Sequence, residues 1–199
     1  MSIIIVGLGN SGPEYENTRH NTGAFLVENF RRFVGFPDWR ENRKGKSLLS
    51  EGKIKREKVC LLLPQTFMNK SGDALKCIVA SVKKAPSLIV VHDDLDLPLG
   101  RFKISFNKSA GGHRGVGSIV RAVKTEEFVR VRVGISPAGV KGKVRKPIGE
   151  KAVIDHILGK FRPAELTAVK KLSKKVSGAL QMIVTEGHEK AMGIYNSYA

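Results

Sequence analysis

Apolar positions along the chain follow two rhythms. Ser2–Val6 is a β-branched apolar run ending at Gly7 and predicts a buried strand, whereas Thr22–Val34 sets Phe25, Leu26, Phe30 and Phe33 at helical spacing. Ser47–Ile54 and Val59–Leu63 predict two strands joined by the charged turn Lys55–Lys58, and Met68–Val82 returns to helical spacing through Leu75, Ile78, Val79 and Val82. Leu88–Val91 predicts a short strand between Pro86 and the acidic cluster Asp93, Asp94 and Asp96. Arg101–Phe106 and Val129–Ile135 alternate, the second with Val129, Val131 and Val133 inward and Arg130 and Arg132 outward. A glycine-rich link, Ser109–Ser118, and a short helix lie between them. Pro163 suits a first helical turn, and Leu166, Val169, Leu172, Val176, Ala179, Leu180 and Ile183 trace one face of a long helix.

Strands and helices that alternate in this way predict an α/β fold, a single three-layer domain with a mixed β-sheet flanked by helices. A chain of 199 residues with 41% hydrophobic side chains is long enough to bury a core without disulfides. Cys60 and Cys77 lie in apolar segments with no paired spacing, which suits buried thiols in a reducing compartment. No apolar run reaches the length of a membrane span, so a cytoplasmic protein is expected, acting as a monomer without a membrane. The segment 138–148, basic and without periodicity, is expected to be a mobile loop.

Charge narrows the class of partner. The formal charge is +17, and it is lopsided: residues 1–100 hold 15 basic and 11 acidic side chains, residues 101–199 hold 20 and 7. A basic field of this kind favours a phosphate backbone over a lipid surface, which would also want an exposed amphipathic helix. Lys170, Lys171, Lys174 and Lys175 read as the solvent face of the long helix.

Some motifs are decoys. Gly7-Leu-Gly9-Asn-Ser-Gly12 matches a dinucleotide fingerprint but runs into Pro13 and a polar stretch, with no acidic residue where a ribose would be gripped. Arg40–Ser47 ends like a phosphate loop yet has Arg40 in place of its first glycine. No nucleophile-elbow serine is present. His92 to Asp96 crowds carboxylates and an imidazole together, but strand alternation splits them over two faces and leaves no compact ligand set. No metal and no cofactor are expected.

Three polar clusters follow strands or open helices: Gly9-Asn10 through Thr18-Arg19-His20-Asn21, Pro64 through Asn69, and His92-Asp93. In an open α/β sheet such loops converge on one crevice, and there an imidazole, a carboxylate and two amides suit hydrolysis of an ester by activated water. The histidine takes the proton, the aspartate fixes its tautomer, and the amides orient a carbonyl.

The strings GLGNSGPEYENTRHNTG, PQTFMNKSG, HDDLDLPLG and SAGGHRGVGSI, in this order, together with VIDHILGKF, resemble the bacterial-type peptidyl-tRNA hydrolases. The resemblance runs from the first strand to the last helix. It implies cleavage of the ester between a peptide and the 3′ adenosine of tRNA, recycling tRNA from aborted translation, with peptidyl-tRNA as partner. By it, His20 matches the catalytic base, Asp93 its orienting carboxylate, Asn10 and Asn69 the positioning amides, and Met68 a wall of the peptide channel. Tyr15, His113 and Arg114 join the substrate-binding set, with His92 and His113 read as supporting residues. Lys103 and Arg132 match basic positions that grip the tRNA 5′ phosphate and acceptor stem. The family's loop normally reads GGHNG; here Arg114 replaces the asparagine, and Ser105 stands where a further basic residue is common. His156 and His188 read as surface residues. A rival reading keeps the fold and RNA binding but loses catalysis; another is a nucleotide-dependent enzyme.

Overall fold

The computed structural model describes residues 2–76, 78, 85, 87–139 and 144–198. Seven strands make one mixed sheet: β1 (Ile3–Gly7), β2 (Arg40–Asn42), β3 (Ser47–Ile54), β4 (Glu57–Pro64), β5 (Leu88–Pro98), β6 (Phe102–Phe106) and β7 (Val129–Ser136). Their order is β2-β3-β4-β1-β5-β7-β6. β4, β1, β5 and β7 run parallel, while β2, β3 and β6 are antiparallel additions at the two edges. The expected single α/β domain with a mixed, helix-flanked sheet is the observed one.

Helices α1 (Thr22–Phe33), α4 (Pro163–Glu186) and α5 (His188–Tyr195) cover one face, where Leu26, Phe30, Val176 and Leu180 meet Ile5, Leu61, Ile89 and Val131. On the other face a 3₁₀ segment, Met68–Leu75, and α2 (Arg114–Val123) bury Val6, Leu62, Val90 and Phe128. Residues 1 apart in β1 and β5 therefore feed two cores, which is why these strands read as continuous apolar runs. α1 sits so close to the sheet that a Cβ at Gly23 would overlap the Val91 carbonyl oxygen. Helix α3 (Glu150–Leu158) stands beside the carboxyl ends of the strands.

Several boundaries differ from expectation. β5 continues through the acidic cluster to Pro98, because β7 pairs with it past Asp94, with an irregularity between Asp94 and Pro98. The stretch Arg40–Ser47 forms β2 and a turn into β3, with no helix for a phosphate to meet. The helical expectation over 68–82 holds as a 3₁₀ segment to Leu75; Cys77, Val79 and Val82 lie outside the described residues. Of the segment 138–148, residues 140–143 also lie outside them, while Ala138 bridges to Val144 and Lys146 pairs with Asp96. Cys60 is buried, and burial, with Glu51 adding to it against Arg40, pushes its thiol up to about 11, so it is inert at neutral pH.

Candidate active site

The carboxyl ends of β1, β4 and β5 open into a cavity of about 950 Å³. Asn10 comes from the loop after β1, Met68 and Asn69 from the turn after β4, His92 and Asp93 from β5 itself. His20 arrives on a short 3₁₀ turn, Arg19–Asn21, that leads into α1. All of these line the cavity, as do Tyr15, His113, Arg114 and Arg132. Lys103 does not; it lies on β6, next to Arg132 in register.

The three histidines and Asp93 form a connected set. His20 Nδ1 lies 2.9 Å from Asp93 Oδ2 and 3.0 Å from Oδ1, with both side chains nearly buried. His113 Nε2 lies 2.9 Å from Asp93 Oδ1, while its Nδ1 accepts from the backbone N–H groups of Gly115 and Val116. Those two donors assign the His113 proton to Nε2, so this ring donates to Asp93. Asp93 likewise assigns the His20 proton to Nδ1, leaving Nε2 as a lone pair facing the cavity. His92 Nδ1 donates to the Asp93 carbonyl oxygen at 2.7 Å, and its Nε2 is buried with no partner among the described residues.

Electrostatics follow from this packing. Burial disfavours the charged form of His20, but the charge of Asp93 and its hydrogen bond outweigh burial and raise the pKa, with Arg114 pulling weakly the other way. Burial alone would raise Asp93; the two imidazoles facing it overcome that and hold its carboxyl far below the ordinary range. Burial, with the nearby His113 and Arg130, keeps His92 neutral. The ligand atoms of His20, Asp93 and His113 lie within 4.8 Å of one another, the one such group among the described residues. Here Asp93 already accepts N–H from both rings, so its oxygens are engaged without an ion.

Asn10 is held by Met68 and by Asn21, a role that nothing in the sequence assigns to either. Asn10 Oδ1 accepts from Met68 N–H at 2.7 Å, which turns its Nδ2 toward the cavity. Asn21 clamps the Asn10 backbone from both sides: its Oδ1 accepts from Asn10 N–H and its Nδ2 donates to Asn10 O, each at 2.9 Å. Met68 is buried under α2, and a Cβ at Gly115 would overlap its sulfur. Arg19 turns away from the cavity and bonds the carbonyls of His156, Gly159 and Lys160 and, at 2.7 Å, Glu165. It thereby ties the end of α3 to the turn that carries His20. Val153, Ile154 and Ile157 of α3, with exposed Phe67 opposite, give the cavity an apolar wall. Their i, i+1, i+4 spacing was the available signal.

Five positions differ from or add to what the sequence predicts. His156 is not a free surface residue, since its Nε2 meets the Ile135 carbonyl at 3.0 Å and docks α3. His188 stacks on Phe106 at 4.5 Å. Arg130 alternates onto the face away from Val129 and Val131 as expected, yet it is buried, 4% exposed. Arg132 is already bonded, Nε to Asp94 Oδ2 at 2.6 Å. Arg114 reaches Glu150 across the cavity mouth at 3.0 Å, with both side chains well exposed.

Fold and site together define an α/β domain with a histidine–carboxylate pair at the strand ends, the arrangement of a water-activating hydrolase. The family model for peptidyl-tRNA hydrolase matches residues 4–199, and the chain belongs to that family. It is 43% identical over 194 residues to the peptidyl-tRNA hydrolase of Carboxydothermus hydrogenoformans, covering 97% of each protein. It is 39% identical over 196 residues to that of Trichodesmium erythraeum, covering 98% of this chain and 88% of the other. Among solved structures, the Acinetobacter baumannii peptidyl-tRNA hydrolase superposes with a TM-score of 0.86 at 29% identity, over 98% of this chain and 95% of that one.

Proposed function

We propose that the chain hydrolyses the ester joining a peptide to the 3′-terminal ribose of tRNA, returning a peptide carboxylic acid and reusable tRNA. The observation that carries this is the buried His20–Asp93 contact, which leaves Nε2 of His20 unbonded and facing the cavity. His20 Nε2 removes a proton from water as the water oxygen bonds to the ester carbonyl carbon. The negative charge that develops on the carbonyl oxygen is met by amide N–H groups from Asn10 and Asn69. The carbon–oxygen bond to the ribose then breaks, and the proton on His20 passes to the departing alkoxide. Asp93 stabilises the imidazolium between these two transfers and stays ionised, while His113 holds Asp93 in place. Met68, Phe67 and the apolar side of α3 hold the peptide, with Tyr15 at the rim. Lys103 and Arg132 grip the acceptor stem, Arg132 giving up part of its contact with Asp94 to a phosphate.

The chain acts as a monomer in the compartment of translation; among the described residues no helix is long and apolar enough to cross a membrane. A binding protein that has lost catalysis has no support in the site. Its one sequence hint, Arg114, pairs with Glu150 and leaves His20, Asp93 and His113 in mutual contact. The test is to incubate N-acetyl-aminoacyl-tRNA with the protein in ¹⁸O-water. One ¹⁸O in the released carboxylate and none in the tRNA is expected; label in the ribose, or no release, would contradict the reading.

A further inference from the structure

Arg114 and Glu150 pair across the cavity mouth without either being buried by it. Arg114 Nη2 donates to Glu150 Oε1 at 3.0 Å, with the side chains 64% and 79% exposed, and among the described residues each is the other's only ionic partner. Glu150 belongs to the inner face of α3: with Val153, Ile154 and Ile157 it makes an i, i+3, i+4, i+7 stripe, and all four line the cavity. Lys151 and Asp155 pair with each other on the outer face. The stripe has a direction. Its Ile157 end is tied to the turn that carries His20, since the Arg19 backbone N–H donates to the Gly159 carbonyl and the Arg19 guanidinium to those of His156 and Lys160. Its Glu150 end lies two helical turns away, about 10 Å along the axis. An extended peptide advances about 3.3 Å per residue, so one that leaves the His20 crevice along this stripe meets the pair at about its third residue. Arg114 stands near enough to His20 for its positive charge to oppose protonation of that ring, which sets the pair within electrostatic reach of the crevice. An exposed ion pair is worth about fivefold at most in an equilibrium constant, so either partner exchanges readily for a charge on the substrate.

We propose that Arg114 and Glu150 form a charge-reading subsite for the peptide, acting on its third residue counted from the ester. An acidic side chain there takes Arg114 and releases Glu150 to water; a basic side chain takes Glu150 and releases Arg114. Both signs find a partner, so the paired subsite accepts either, and removing one member makes it choose. Other charges on the cavity wall differ in kind. Arg132 is bound to Asp94 and Asp96 to Lys146, while Lys70, Lys108 and Arg130 are all cations and favour acidic peptides as a field. A field acts on several residues of the peptide at once, whereas a hydrogen-bonded contact acts on one. The peptidyl substrate rests on the functional reading above; recognition of a free peptide by the same pair does not.

The test uses the full chain, Arg114→Asn, Glu150→Gln, the double variant, and the charge swap Arg114→Glu with Glu150→Arg. The substrates are N-acetyl-peptidyl-tRNAs of about five residues, all alanine except for one Glu or Lys that is moved along the peptide. Every substrate carries the same tRNA, so its contacts cancel in the ratio of kcat/KM for Glu over Lys at each position. At the third residue, relative to wild type, Arg114→Asn should lower this ratio about three- to fivefold and Glu150→Gln should raise it by as much, in both cases through KM. The double variant and the charge swap should return to near the wild-type ratio, and every difference should shrink in high salt. A ratio that moves equally at all positions would reduce the pair to part of a diffuse field and overturn the proposal. So would a ratio that moves nowhere, a maximum at another residue, or a loss shared by charged and all-alanine peptides, which marks a merely structural pair. If wild type releases no peptide the hydrolase reading fails, and the ratios are then read from equilibrium binding of the free N-acetyl peptides. The same reversal of preference would keep the subsite without that reading, and its absence would overturn both.

Discussion

The crevice around His20 and the ribbon of β6 and β7 are built on opposite terms. In the crevice the polar groups are largely answered from within: Asp93 by two imidazoles, the Asn10 side chain by Met68 N–H, the Asn10 backbone by Asn21. One lone pair, on His20 Nε2, is left pointing at the cavity. On the ribbon Lys103 lies beside Arg132 in register, and of the three cations Lys103, Arg130 and Arg132 only Arg132 bonds a carboxylate among the described residues, Asp94. A site that does chemistry gains from groups fixed before the substrate arrives, because nothing need reorganise as charge develops. A surface that binds a polyanion gains from cations left short of partners, because the ligand completes them. Under the proposed function, rate belongs to the crevice and affinity to the ribbon.

Mutations that separate the two regions test that division. His20→Ala should lower kcat by about 10²- to 10⁴-fold, the usual range for a general base, with tRNA affinity within a few-fold in equilibrium binding. Asp93→Asn should lower kcat by about one order of magnitude less. Asparagine offers one acceptor where the two imidazole N–H groups need two, so one ring is forced into the wrong tautomer. In wild type the acidic limb of kcat/KM should fall above the ordinary histidine value near 6.5, because Asp93 raises the His20 pKa, and activity is lost as pH drops through that limb. In Asp93→Asn the raising charge is gone while burial remains, so the limb should move to lower pH. A pH–rate profile that does not move would break the pairing.

On the ribbon, Arg132→Ala and Lys103→Ala should each weaken tRNA binding by about three- to tenfold and lower the slope of log K against log salt by about one. The smallest effect should come from Arg114→Asn. Its ion pair with Glu150 is exposed and worth little, so kcat should stay within about twofold while tRNA affinity slips slightly. A large kcat loss there would move Arg114 into the crevice's chemistry.

Much of this division was legible in the residues. Continuous apolar runs in β1 and the start of β5 mark strands buried on both faces, and the segments after β1 and β4 together with β5 itself bring Asn10, His20, Asn69 and Asp93 to one place by topology. Arg19 and Asn21 flank His20 in sequence, but nothing in a polar string shows that one holds α3 by three carbonyls and the other clamps the Asn10 backbone. α3 was hidden because its apolar side faces a cavity, leaving it partly exposed and short. Arg130 was misjudged for a related reason. Alternation fixes which face a side chain takes, whereas its burial depends on the tertiary packing over that face.

The most direct measurement of the central claim is single-turnover release of peptide from N-acetyl-aminoacyl-tRNA at neutral pH, wild type beside His20→Ala, each with and without a strong chelator. A crevice whose water is activated by His20 and Asp93 predicts a wild-type rate indifferent to chelation and a His20→Ala rate near background in both conditions. A wild-type rate that collapses with chelator and returns with a divalent metal would contradict it, and would turn His20, Asp93 and His113 into ligands.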